Sequence, residues 1–342
     1  MNVYITHWSS INPVFLPENT DYPHPEEIQE GIRLKCHEPD YKLFIADPAV
    51  RRRMSRAVKM GTAAAMQCLS GFRKTPDAII TATGFGCLSD TEKFLRTILE
   101  NKEELLNPTP FIQSTFNTVG AQIAIALNNT NYNNTYVHRG FSFESALSDA
   151  RMLLFDNEAK NVLVGSYEEL TDASFDIFSR LGRYRKGGKA GEGAQFFLLS
   201  TEEKSPCRLK DIAFAFRPTE SELQEKFRTF LGRNHLNPDA IDCFVSGESG
   251  NSEEQAFYDS IENNLPNSTV VTYKHRSGDY PTVSSFALWL SAHILHTDEV
   301  PSRLMKTDQG KNIKNILIYN HYQNTNHSFI LLEKEYTTDS TA

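Results

Sequence analysis

The sequence holds five cysteines, at 36, 68, 87, 207 and 243, an odd number with no Cys-x-x-Cys pair. That scatter excludes a disulfide framework and a thiolate zinc site, and reduced thiols in a cytoplasmic protein are the expectation. No apolar run approaches the ~20 residues a spanning helix needs. The opening MNVYITHWSSINP lacks a charged stretch followed by an apolar one, so neither a membrane span nor a signal peptide is expected. Excess positive charge is missing too. The formal net charge is −8, which argues against nucleic acid as a partner and against a polybasic membrane patch. There is no Gly-x-Ser-x-Gly elbow, no His-Glu-x-x-His and no His/Cys set at metal-ligand spacing. Gly84-Phe85-Gly86 follows an apolar run but lacks the third glycine and the acidic partner of a dinucleotide fingerprint. What remains is 342 residues, 39% hydrophobic and 23% charged, an ordinary globular composition with room for one large domain or two fused halves.

The stretch around which the chain is organised is Thr135–Glu168. A short extended run, Thr135–Val137, passes through the hinge His138–Phe141 into a helix from Ser142, with Phe143, Ala146, Leu147, Ala150 and Leu154 at the three- and four-residue spacing of one buried face. Ser142 is the expected N-cap and Asp156-Asn157 the turn that ends the helix. Val162–Gly165 follows as a buried strand. Strand, tight turn and helix together aim the turn at a helix N-terminus, where the macrodipole favours a developing anion.

On these residues the segment resembles the nucleophile segment of the β-ketoacyl synthases, whose fold is the thiolase fold. In that family a Cys sits at the strand-to-helix turn and a Gly-Gly-x-Glu motif ends the next strand. Gapless matching of Gly165-Ser166-Tyr167-Glu168 to that motif puts Gly140 at the Cys position, and a glycine has no side chain to carry an acyl thioester. The family's two active-site histidines are matched in the same way. The loop Ser246-Gly247-Glu248-Ser249-Gly250 stands for His-Gly-Thr-Gly-Thr, with Ser246 in place of His. Lys274-His275-Arg276-Ser277-Gly278-Asp279 stands for Lys-x-x-x-Gly-His; Lys274 and Gly278 are kept and Asp279 replaces His. A carboxylate there repels an enolate, which the histidines would stabilise. The late Gly-Phe-Gly-Gly-Thr-Asn loop reads His321-Tyr322-Gln323-Asn324-Thr325-Asn326, with its glycines lost.

The rest of the chain carries the resemblance from Asn2 to about Glu335. Asn2–Ile5 is a strand candidate, ending in a polar loop with Ser9, Asn12 and Pro13; Pro17–Pro39 is an irregular excursion or partner-facing arm. Arg51-Arg52-Arg53-Met54-Ser55-Arg56 resembles the entry to the family's first long helix, here 57–70, and is read either as a solvated helix entry or as a contact for a carrier's phosphopantetheine. Pro108–Leu127 matches the family's Pro-Thr-x-Phe…Ser-x-x-Asn segment and a small-residue helix, which in the family lie at the dimer interface beside the acyl tunnel. Asn128–Asn134 reads as a turn. The glycine-rich loop 181–192, with Arg183, Arg185 and Lys186, reads as mobile and able to meet an acidic carrier protein. Cys87, between a strand and a helix, is a rival nucleophile position.

These readings give an α/β protein with a thiolase-like fold, an N-terminal half at 1–205 and a C-terminal half at 206–342, layered α-β-α-β-α. The resemblance implies a ketosynthase fold without its chemistry, similar to the family's chain length factors. Such a subunit pairs with an active ketosynthase as a heterodimer and helps shape the tunnel for a growing chain in type II polyketide, fatty-acid-like, aryl-polyene or flexirubin-like pathways. Thr135–His138 is then the edge strand facing the partner, and Phe116, Asn117, His138, Phe141 and Phe143 are tunnel or interface residues. Arg51, Arg52, Arg53, Arg183, Arg185 and Lys186 would contact an acyl carrier protein. No cofactor or metal is expected; the ligand is the acyl chain on the carrier's phosphopantetheine. Two other readings stay open: an acyltransferase or hydrolase with chemistry relocated to His138, Cys87, Asp279, His321 and His327, and a homodimeric acyl-carrier-binding protein.

Overall fold

The computed structural model describes residues 1–14, 31–185, 187–252 and 254–335. Among these residues eleven strands form one sheet: β1 (Val3–Ile11), β2 (Ala78–Ala82), β3 (Tyr132–Tyr136), β4 (Asn161–Glu168), β5 (Gly193–Ser200), β6 (Cys207–Phe216), β7 (Cys243–Ser246), β8 (Thr269–Thr272), β9 (Met305–Thr307), β10 (Asn315–Tyr322) and β11 (Asn326–Lys334). The helices are α1 (Pro48–Arg53), α2 (Arg56–Cys68), α3 (Leu88–Glu100), α4 (Pro108–Gln113), α5 (Thr118–Ala126), α6 (Ser142–Phe155), α7 (Asp172–Arg180), α8 (Glu220–Arg233), α9 (Gln255–Glu262), α10 (Lys274–Ser277) and α11 (Ser284–Thr297).

The sheet order is β3-β2-β4-β5-β1-β6-β11-β10-β7-β8-β9. β1 and β6 meet over two residue pairs, Val3 with Leu209 and Tyr4 with Arg208. To either side the same order of appearance is found, β3-β2-β4-β5-β1 and β8-β7-β10-β11-β6, with β9 added at one edge. The repeat extends to side chains. Asp77, just before β2, accepts hydrogen bonds from the N–H groups of Lys160 and Asn161 at the start of β4, both at 2.9 Å. Asp242, just before β7, accepts them from Lys314 and Asn315 at the start of β10, at 2.9 and 2.8 Å. One carboxylate thus pins the register of a parallel pair in each set.

Burial divides the molecule into five layers. α6 and α11 lie in the middle, sharing one core with Ile80, Val164 and Phe197 from one strand set and Val245, Ile318 and Ile330 from the other. α11 is apolar on nearly every side, as a helix enclosed on all sides must be. α2 covers the outer face of the first set over Ile79, Leu163 and Phe196. α8 and α9 cover the outer face of the second over Phe244, Tyr319 and Phe329. This is the α-β-α-β-α arrangement expected from the sequence. No helix among the described residues is long and apolar enough to cross a membrane.

Three local expectations are corrected. β1 does not stop at Ile5 but runs to Ile11, because its serines are satisfied inside the sheet: Ser9 Oγ donates to Ala64 O at 2.5 Å and Ser10 Oγ accepts from Gln195 Nε2 at 3.1 Å. The polar run 128–134 is a turn only to residue 131. From Tyr132 it pairs parallel with β2 as the outermost strand, where solvent tolerates asparagine on the exposed face. Ser142 does not cap α6, since the helix grows out of a 3₁₀ turn at Arg139–Phe141. Its hydroxyl instead donates to Arg139 O and accepts from His138 N–H, each at 2.8 Å. Of the proposed 17–39 arm, residues 17–30 lie outside the described residues, as does Lys186.

Candidate functional site

Position 140 lies in the 3₁₀ turn between β3 and α6, buried at the end of the central layer. The turn begins at Arg139, which holds a left-handed φ of 49°. Tyr322, the last residue of β10, lies over Gly140: a Cβ built there would meet Tyr322 Cβ, Cγ and Cδ1, the last at 2.7 Å. These are atoms at the root of the ring, which cannot swing aside as a flexible tip would. The position therefore lacks a nucleophile and also the space for one.

The Lys274–Asp279 segment forms the wall beside Tyr322. Gly278, at φ 72°, packs on Gly191 so closely that a Cβ on Gly191 would meet Gly278 Cα at 2.8 Å; only glycine on both segments allows that approach. The turn presents Asp279 to Lys274, Nζ to Oδ1 3.0 Å, and Lys274 is 1% exposed. Lys274 Nζ also donates to His321 O at 3.3 Å. Burial pulls the pKa of Lys274 down, but Asp279, Tyr273 and Glu254 together outweigh it and keep the ammonium charged. Arg183 completes the wall, its guanidinium 4.5 Å from the Tyr322 ring centroid and 5.0 Å from that of Phe178. Under it lies a cavity of about 10 Å³, lined by Phe85, Glu168, Arg183, Tyr184, Asp279 and Tyr280 among others. That is room for about one water.

The remaining titratable groups do not join this point. In β10 the pleat alternates faces. Tyr319 belongs to the core under α8 and α9, and His321, two residues on, lies on that side with it. His321 stacks on Tyr258 with ring centroids 4.3 Å apart, and its Nδ1 accepts from Asn324 N–H at 3.4 Å, leaving Nε2 to donate to Glu254 O at 3.2 Å. His327 Nδ1 pairs with the Tyr319 hydroxyl at 2.8 Å. Burial lowers both imidazoles, His327 to about 4, so both are neutral. Ser246, at the end of β7, is buried with no hydrogen-bond partner for its hydroxyl. Cys87 is fully buried, and burial, then the charges of Glu169 and Asp90, push its thiol up; it is no thiolate. His138 is exposed, its ring 5.9 Å from that of Phe141. A relocated Cys–His pair is not assembled.

Two buried acids escaped the sequence reading as groups with a charge of their own. Glu168, whose side chain accepts from Gly84 N–H and from Thr83 Oγ1 at 3.2 Å, is raised to about 8, chiefly by burial. Glu144, which accepts from Ser328 Oγ at 3.0 Å, is raised to about 7 for the same reason. The signal for Glu144 was its place three residues before Leu147 on the helix face that turns inward. Each carboxyl has a folded pKa above its unfolded value of about 4.5, so the folded state holds the extra proton. Their contribution to stability is present in full below about pH 4.5 and is lost as pH rises through 7 and 8. Glu168→Gln is expected to flatten the fall of urea-unfolding free energy between pH 5 and 9 and to be more stable than the parent at pH 9. An unchanged slope contradicts a neutral Glu168.

The other candidate residues are dispersed. Phe143 is core, its ring 5.8 Å from Phe197, and Phe141 packs on Phe214 at 5.5 Å. Phe116 is half exposed with its ring against Gly86, and Asn117 is exposed at the start of α5. Arg51 Nη1 donates to Ile45 O at 2.5 Å and Arg52 Nε to Pro48 O at 3.2 Å, while Arg53 O accepts from Gln113 Nε2. These arginines close the last turn of α1. Arg185 is exposed, whereas Arg183 is folded against aromatic rings. Around the outer edge, Phe111, Ile112 and Phe116, then Ile125 on α5 and Tyr132 and Val137 on and beside β3, are exposed apolar side chains, Ile125 by 70%.

Residues 29–190 match the family model described as beta-ketoacyl synthase, N-terminal domain. Among solved structures the chain is similar to the ishigamide ketosynthase/chain length factor, with a TM-score of 0.78 at 16% identity, covering 98% of this chain and 100% of that one. It is similar to AntDE:AntF, a type II PKS acyl-carrier protein in complex with its ketosynthase, with a TM-score of 0.77 at 13% identity and coverage of 98% and 99%. A beta-ketoacyl synthase from Burkholderia phymatum STM815 matches with a TM-score of 0.74 at 13% identity, over 98% and 100%. No curated protein matches the sequence significantly. The chain resembles the β-ketoacyl synthases and has their thiolase fold.

Proposed function

We propose that this chain is a noncatalytic, chain-length-factor-like subunit that pairs with an active ketosynthase and helps shape its acyl tunnel. The observation that carries this reading is the turn at Gly140: no nucleophile, no space for one beneath Tyr322, and a carboxylate where the family places a histidine. Such a pocket condenses nothing, so the fold's remaining use is its surface. β3 is the outermost strand, its far side faces no other strand among the described residues, and Tyr132, Val137 and Ile125 on it and beside it are exposed apolar side chains. An edge of this kind pairs with a second sheet. The ketosynthase/chain length factor among the similar structures supports that kind of partner.

On this reading Phe116 and Asn117 lie beside the partner's tunnel, Arg51, Arg52, Arg53 and Arg185 on the carrier's approach, and the bound chain belongs to the carrier's phosphopantetheine. A cytoplasmic type II pathway fits these parts, of the polyketide, fatty-acid-like, aryl-polyene or flexirubin-like kind. Native mass spectrometry of the chain, alone and with candidate ketosynthases, tests the pairing. A one-to-one complex with one of them is expected; a self-pair that persists in excess ketosynthase overturns it.

A further inference from the structure

Asp279 is more than a lost histidine. Its carboxylate is held by one buried ammonium, Lys274 at 3.0 Å, and faces the Arg183 guanidinium across the about 10 Å³ cavity that both line. Arg183 is fixed by two aromatic rings, yet its Nη2 is buried without a hydrogen-bond partner. Glu254, the next acid out, has Ser249 Oγ at 3.0 Å, and Glu168 across the cavity holds its proton up to about pH 8. One buried ammonium in contact and one guanidinium across the cavity, with an N–H to spare, flank a single oxyanion, the donor set of a carboxylate-binding site.

We propose that Lys274 and Arg183 form a binding site for a small carboxylate, and that Asp279 is its built-in occupant. While Asp279 is present the cavity admits no more than a water, so the site is closed to free ligands. Removing the side chain beyond Cβ vacates the space of one carboxylate without moving either cation. The inference stands on the Lys274–Asp279 ion pair and on Arg183 across the cavity, not on the pairing with a ketosynthase, and its test reads no complex.

The test is chemical rescue by formate. Asp279→Ala leaves a buried ammonium uncompensated and is expected to lower the thermal midpoint by about 5 °C or more. Formate is expected to restore at least half of that loss, saturably, while chloride at equal ionic strength does not. The parent is expected not to respond. Neither is Asp279→Asn, because its amide fills the space. Adding Lys274→Met to Asp279→Ala is expected to abolish the response. If Asp279→Ala does not fold alone, refolding yield is the readout: recovery in formate and not in chloride supports the site, and no recovery in formate overturns it. Equal formate shifts in parent and variant, or rescue that survives Lys274→Met, also overturn it.

Discussion

Gly140→Cys, which puts a thiol at the turn that resembles the nucleophile segment of the β-ketoacyl synthases, is expected to yield a protein that takes up no acyl group and melts several degrees below the parent. The reason is steric. The new Cβ and Sγ enter the space of the Tyr322 side chain at its root, and overpacking of a closed core costs typically about 1–3 kcal/mol. Tyr322 is itself held down by Arg183 and cannot tilt away without losing that contact. Tyr322→Gly alone is expected to destabilise by opening a void. Combined with Gly140→Cys it should recover part of the loss, a coupling that separate sites would not show. Even the double variant has Asp279 and Ser246 in place of the histidines, so acyl loading from a carrier is expected to stay below that of an active ketosynthase. Differential scanning calorimetry of the four-member cycle reads the coupling, and intact-mass spectrometry after incubation with acyl-carrier reads the loading. Additive melting shifts, or full loading by Gly140→Cys alone, contradict the account.

The second large effect is expected at the sheet edge. Ile125 and Val137 flank β3 and are exposed in the isolated chain, so charging them changes little within it. Ile125→Asp with Val137→Asp is expected to keep the parent melting midpoint within about 1 °C and to weaken binding to the proposed ketosynthase partner at least about 100-fold. Central apolar residues of an interface cost about 2 kcal/mol or more each when lost, and each 1.4 kcal/mol is about tenfold. A pair of charge reversals on exposed positions of α8, Glu225→Lys with Arg228→Glu, is expected to leave affinity unchanged. Binding measured by titration calorimetry decides it. Unaltered affinity in the edge variant moves the partner surface elsewhere.

The sequence carried the architecture because the signals are local. The 3.6-residue period from Phe143 to Leu154 placed the central helix, and Val162–Gly165 read as a buried strand because both faces of β4 are covered. It failed where polar side chains find partners far along the chain. Ser9 and Ser10 read as loop, yet Ala64 O and Gln195 make them strand. Tyr132 and Asn133 read as turn, yet an edge strand tolerates them. The gap at Gly140 was legible from its neighbours, but its closure was not, since Tyr322 comes from the far end of β10. Arg183 read as part of a mobile basic loop. It is an inward group, because aromatic faces and Asp279 offer a guanidinium more than solvent does.

The central claim is that this fold serves catalysis only through a partner. Its most direct test is acyl loading of the purified one-to-one complex, read subunit by subunit by intact mass. The account predicts that the ketosynthase gains the acyl mass while this chain gains none, with or without malonyl-carrier present. A stable acyl adduct on this chain, on Cys87 or any other residue, contradicts it.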